Sequence, residues 1–245
     1  VIDDRRPLPE TIGGLALVAM RAYRRRLPLF FGVAFTGLVL EAVVAYLRPG
    51  DIGYFYAGSV VVDSLVAALV SIGVIADMRD AERPSDRAVA DIALSRWGIV
   101  AVVTTLIDIV TYFTGGAVFG PPEATAYGFL TLPIVVFWGS IAFATVMAAT
   151  DEKTAPGLLI LSSIGRSMTL ALARQNIGRL VGLSIVAVLP TLIETVLYDQ
   201  LQLRHVAAAQ FIANIPIDAL TTGPLQAIFS IFYLDFVRRS AGPRA

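Results

Sequence analysis

The chain has 245 residues, 56% of them hydrophobic and only 16% charged, with a formal net charge of zero and a mean hydropathy of +0.74. A soluble domain carries about a quarter charged residues and a nucleic-acid-binding surface needs a basic excess, so the composition speaks against both. Cysteine is absent, which removes disulfides, thiolate catalysis and Cys-ligated metal or iron–sulfur sites.

The apolar residues fall into runs of about 20, enough to cross a ~30 Å hydrocarbon core. The reading is an all-α integral membrane protein: one polytopic domain over residues 1–245, with six transmembrane helices arranged as three helical hairpins and amphipathic interfacial helices on the cytoplasmic side. Residues 9–26 form the first interfacial helix, too rich in glycine to span and strongly basic at its end. The first apolar run is long and preceded by Arg24, Arg25 and Arg26, so it does not read as a cleaved signal peptide. Span one covers about 27–47, with Pro28 in its first turn, where a missing N–H is harmless. Arg48-Pro49-Gly50-Asp51 is a turn. Span two covers about 54–76 and opens on Tyr54, Phe55 and Tyr56, suited to the headgroup level. Ser85 caps a short surface helix through Ala88–Ile92 that leads into span three, about 97–119. Gly120-Pro121-Pro122-Glu123 breaks the chain before span four, about 127–149. The apolar stretch 157–175 carries Arg166 and Arg174 and belongs in the interface or under the bundle. Span five, about 177–198, contains Pro190, which should kink it. Span six, about 214–237, is expected to be interrupted at Pro216 and Gly223-Pro224.

One pattern recurs. Leu40-Glu41-Ala42-Val43, Ile107-Asp108-Ile109-Val110 and Ile193-Glu194-Thr195-Val196 each place an acid inside the leading span of a hairpin, downstream of Arg26, Arg96 and Arg179 respectively. The second spans close on acids at the same edge: Asp77 with Asp80, Asp151 with Glu152, and Asp235. All of the 19 Lys and Arg except Arg48 and Arg204 lie in the segments 1–26, 77–96, 150–180 and 238–245. The positive-inside rule then makes both termini cytoplasmic, and the predicted location is a bacterial inner membrane, crossed several times.

The candidate polar site is the set of intramembrane acids Glu41, Asp63, Asp108 and Glu194, with Asp218 near the start of span six. A charge at the bilayer centre costs about 2.5–3.5 kcal/mol on insertion scales, so these groups should face the bundle interior, water or one another. They could form a cation or proton path, or help to pack the hairpins near the outer interface. No Lys or Arg lies inside the spans beside them, which favours packing. Arg21, Arg24, Arg25, Arg26, Arg166, Arg174 and Arg179 suit anionic lipid headgroups, at ~1 kcal/mol each near a charged leaflet. Small residues four apart, Ala67 with Ser71 and Ser140 with Ala144 and Ala148, allow close helix approach within the chain or to a partner. The one His, His205, reads as exposed beyond span five, and Lys153 lies in a polar connection. Phosphate-binding glycine loops, H-E-x-x-H and G-x-S-x-G are absent, so no catalytic set, no metal site and no cofactor is expected.

Arg166-Ser167, followed by Met168-Thr169-Leu170, and the closing Tyr233-Leu234-Asp235-Phe236-Val237-Arg238 resemble motifs of the membrane domain that precedes some bacterial glycerophosphodiester phosphodiesterases. Six spans with cytoplasmic termini and a basic amphipathic start match that domain as well. The final arginine falls one place late, and the chain supplies no Glu–His metal site of the catalytic barrel. The resemblance therefore implies a membrane module without phosphodiesterase activity. The function expected is a non-catalytic, lipid-contacting scaffold or accessory subunit of a larger membrane complex, its partners being membrane lipids and other membrane subunits, not nucleic acid. The alternative is a small secondary transporter or channel using the intramembrane carboxylates.

Overall fold

The computed structural model describes residues 8–47, 52–79, 83–119, 131–151, 154–204 and 209–241, all of them helix or short connection. The helices are α1 (Ile12–Arg25), α2 (Leu27–Leu47), α3 (Ile52–Arg79), α4 (Asp86–Phe119), α5 (Thr131–Ile141), α6 (Phe143–Thr150), α7 (Pro156–Ala171), α8 (Ile177–Leu203) and α9 (Ala209–Ser240). No strand occurs among the described residues.

Local chemistry sets where they begin. Thr11 caps α1, its side chain accepting from the Gly14 amide at 3.1 Å. Ser85 caps α4, accepting from the Ala88 amide at 3.2 Å, and Pro156 opens α7. The main-chain carbonyl of Asn176 accepts from Arg179 and Leu180 to start α8. The amides of Gly14, Ala88 and Arg179 are among the donors that a helix start otherwise leaves unpaired, and Leu180 makes the first regular bond of α8. Arg26, at φ −119° and ψ 24°, separates α1 from α2.

Four helices are long and apolar enough to cross a membrane: Val60–Arg79, Asp86–Thr111, Pro133–Thr150 and Leu220–Ser240. The third of these joins α5 to α6 across Ala142, which keeps helical dihedrals. The expected first and fifth spans are helices of 21 and 27 residues, but their described apolar parts, Leu27–Leu40 and Ile177–Leu189, are shorter than a ~20-residue crossing.

α3 is the hub, packed against α1, α2, α4, α6 and α9. Its stretch from Val66 to Ile75 is buried on every side, which explains why apolar residues run right around it. α6 is likewise buried from Phe143 to Ala149. α1 lays Leu15, Ala19, Ala22 and Tyr23 onto the bundle, chiefly against α9, and turns Leu17, Met20, Arg21, Arg24 and Arg25 outward. On α2, Phe31, Phe35, Val39, Val43 and Leu47 form an exposed apolar row at four-residue spacing.

Two expectations are corrected. The surface helix 88–92 and the third span are one unbroken helix of 34 residues, about 51 Å at 1.5 Å per residue. Asp86 and Arg87 simply start the helix outside the apolar zone. The last helix runs from Ala209 to Ser240 without interruption at Pro216 or Gly223-Pro224. A membrane-type bundle tolerates proline because packed neighbours hold the helix together. At Gly223 that packing is tight: a Cβ there would lie 2.7 Å from the Tyr23 hydroxyl and ring.

Candidate functional site

The densest chemistry lies at the basic end of the bundle, in three arginine–acid clusters. The first is built on Arg26, 1% exposed at the α1–α2 junction. Its Nε donates to both oxygens of Asp77 at 3.2 Å, and its Nη2 to Asp77 Oδ1 at 2.6 Å and to the Pro84 carbonyl at 2.8 Å. Its Nη1 donates to Asp86 Oδ1 at 2.5 Å. All three nitrogens of the guanidinium are thus engaged, and the fork geometry suits a carboxylate. Burial works against the charge, but hydrogen bonds and attraction from Asp77, then Asp86, outweigh it and hold the guanidinium above its ordinary pKa. Arg83 closes the cluster, with Nε 3.7 Å from Asp77 and Nη2 donating to the Arg25 carbonyl at 2.8 Å. Room for the Arg26 stem comes from Gly73 on α3, where a Cβ would lie 2.7 Å from the Phe30 ring and 3.3 Å from Arg26 Cδ.

The second cluster surrounds Asp151, just past α6. Arg166 Nη1 donates to Oδ2 at 2.5 Å, Thr154 Oγ1 donates to the same oxygen at 2.9 Å, and Arg96 Nη1 donates to the Asp151 carbonyl at 3.1 Å. Here Arg166 is half exposed. The third is buried: Arg179 Nη1 donates to Asp235 Oδ2 at 2.5 Å while its Nη2 donates to the Glu10 carbonyl, tying the start of α1 to α8 and α9. Arg239 adds a 3.1 Å contact to the same carboxylate oxygen.

The first and third clusters share a plan: an arginine at the start of one long helix (Arg26, Arg179) pairs with the carboxylate near the end of a later one (Asp77, Asp235). The second differs, since Arg96 on α4 donates to the Asp151 main-chain carbonyl and Arg166 on α7 donates to its carboxylate. Arg26, Arg96 and Arg179 were noted in the sequence as a row of leading arginines, and Asp77, Asp151 and Asp235 as a row of closing acids. That both rows sit on the basic side was the signal for a shared edge, but it did not say which arginine meets which acid.

A further polar node, which sequence reasoning missed, lies in the core. Gln226 Nε2 on α9 donates to Ser71 Oγ on α3 at 2.8 Å and to Thr145 Oγ1 on α6 at 3.2 Å, and all three residues are buried. The small-residue spacing containing Ser71 did mark this face of α3. A lone Gln in an apolar run was the remaining signal. Two indoles pin neighbouring helices: Trp97 donates to Ser64 at 2.9 Å, and Trp138 to Thr114 at 2.7 Å.

Of the predicted acids, Asp63 is half-buried on α3 and has an interaction partner, whereas Asp108 is exposed on α4. They are not brought together. Ser64, beside Asp63, bonds Trp97, and Asp108 lies about 16 Å further along α4 at 1.5 Å per residue. The side chains of Glu41, Glu194, Asp218, His205 and Lys153 lie outside the described residues. Among the arginines assigned to headgroups, Arg21, Arg24, Arg25 and Arg174 are exposed. Arg26 and Arg179 are corrected: both are buried against carboxylates, because two acids inside the fold compete for them more effectively than a headgroup outside it. Among the described residues no group of His, Cys, Asp and Glu could hold a metal.

The fold and its clamped, arginine-rich end define a class: an all-helical protein of membrane type. No family model, characterised protein or solved structure matches the chain.

Proposed function

We propose that the chain is a non-catalytic, multi-pass protein of a bacterial inner membrane that serves as a lipid-contacting scaffold or accessory subunit of a larger membrane complex. In this reading the spans are α2, α3, α4, α5 with α6, α8 and α9, paired as three hairpins with both termini in the cytoplasm. Each hairpin is closed by one arginine–acid cluster at the cytoplasmic edge. Arg21, Arg24, Arg25 and Arg174 contact anionic headgroups, and the apolar row on α2 faces lipid. The resemblance to the membrane domain of glycerophosphodiester phosphodiesterases belongs to the same reading.

The observation that carries it is the filled centre. Where α3, α6 and α9 meet, Ala68, Val70, Ala144, Val146, Ala148, Ala227 and Ile231 are fully buried, and Gln226 spends its amide on Ser71 and Thr145. A transporter of this size would place water or substrate there and line it with broken helices, whereas α9 runs unbroken through its prolines. The test has two arms. Solubilised gently from its own membrane, the protein should migrate in a native gel well above the mass of a single chain. Reconstituted alone in liposomes with a pH-sensitive dye inside, it should give no proton or cation flux above empty vesicles. Migration as a free 26.2 kDa chain with its detergent belt, or a flux abolished by Asp63→Asn, would overturn the proposal.

A further inference from the structure

Of the four spanning helices, Asp86–Thr111 is the least buried. Its outward face carries Ser95, Gly98, Val102, Thr105 and Ile109 at alternating spacings of three and four, the period of a helix–helix seam. Ser95, Gly98, Val102 and Ile109 are exposed and Thr105 is half-buried. No heavy atom lies within 4 Å of the position a Cβ would take at Gly98, so a second helix can approach closely. Thr105 already donates to the Ala101 carbonyl at 2.8 Å. Beside this seam Asp108 projects, exposed, about 18 Å beyond Arg96 at 1.5 Å per residue. That is near mid-depth of a ~30 Å core.

An acid on the outer surface at that depth is expensive to leave against lipid, and the chain itself cannot neutralise it. Arg26, Arg96, Arg166 and Arg179 are committed at the basic end. The sequence has no Lys or Arg from Trp97 to Glu152 or from Leu180 to Leu203. A second copy is no better: inserted with the same orientation, it presents the same acid at the same depth and its arginines at the same edge.

We propose that this face of α4 docks a transmembrane helix of a different protein, one that carries a Lys or Arg at mid-membrane and small residues about two and three turns from it toward the basic end. Its cation pairs with Asp108 and its small residues seat over Gly98 and Val102. The inference rests on the accessory-subunit reading and names the surface and the partner's chemistry.

A photoreactive residue replaces Val102 in one variant and Phe35, on the exposed α2 row, in another, and both are irradiated in the native membrane. Expected is a Val102 adduct whose cross-linked peptide is a transmembrane segment containing Lys or Arg. Its yield should fall at least tenfold with Asp108→Asn, a variant whose melting temperature in detergent stays at that of the parent. A homodimer adduct, lipid adducts alone, a partner segment without a cation, or a yield indifferent to Asp108→Asn each overturns the proposal. A protein adduct from Phe35 and none from Val102 sinks this surface while leaving the accessory-subunit reading standing. Protein adducts from neither position sink both.

Discussion

Arg26 offers the sharpest test of how the bundle is held. Replacing it by methionine keeps most of the volume and removes the charge. Asp77, 5% exposed, then loses its three contacts with the guanidinium, while Arg83 stands at 3.7 Å with its side chain 47% exposed. Breaking a buried pair by removing one partner costs about 3–5 kcal/mol, because the other charge stays buried. For a chain of this size that corresponds to a fall in melting temperature of about 6–20 °C. Asp77→Asn should cost less, since Arg26 retains Asp86 and the Pro84 carbonyl. The double variant should be less damaged than the sum of the two by about 1–3 kcal/mol, because neither buried charge is then stranded. The indole fluorescence of Trp97, bonded across α3 and α4, reports the transition during thermal unfolding in mild detergent. An R26M melt within 2 °C of the parent, or strict additivity in the cycle, would refute the claim that this cluster is a buried, coupled clamp.

Three further outcomes are expected from the same melts. Arg166→Ala should cost no more than about 1 kcal/mol, since that pair is half exposed and solvent-screened; a loss as large as that of R26M would contradict the ranking by burial. Gly223→Ala should destabilise by about 1–3 kcal/mol through overpacking against Tyr23. Gly165→Ala, with open space around it, should be neutral or stabilise by up to ~1 kcal/mol, so equal melts for the two would remove the steric argument. Burial raises the Tyr23 phenol above its ordinary 10.0, so the folded state holds that proton more tightly than the unfolded chain. Its contribution is complete below pH 10 and is lost as pH climbs through the raised value. Tyr23→Phe should therefore flatten the decline in melting temperature above pH 10, and an unchanged slope would show that Tyr23 does not take part.

Much of the helical plan was legible in the chain because it depends on local chemistry. Apolar run length marked α3, α4 and α9, Ser85 marked the start of α4, and the basic edge followed from the placement of arginine. Helix continuity was less legible. Pro216 and Gly223-Pro224 are strong breakers in isolation, yet α9 passes through them; at Gly223 close packing against Tyr23 of α1 outweighs local propensity.

The candidate site divides in the same way. Residue type and spacing alone picked out Asp63 and Asp108 as intramembrane acids, and Asp77, Asp151 and Asp235 as a row at one edge. Only the tertiary structure decided which arginine meets which acid. Arg21 and Arg26 look alike in sequence, but Arg21 lies on the outer face of α1 while Arg26 sits at the turn between two helices, within reach of Asp77 and Asp86. The same holds for the core node, where Gln226, Ser71 and Thr145 are brought together from three distant segments. Composition and hydropathy are sums over local residues, and they determined that this is a helical membrane-type chain with one arginine-rich side. Pairing is a property of contacts between distant positions, 51 apart for Arg26 with Asp77 and 155 apart for Gln226 with Ser71, and these form only when helix faces meet.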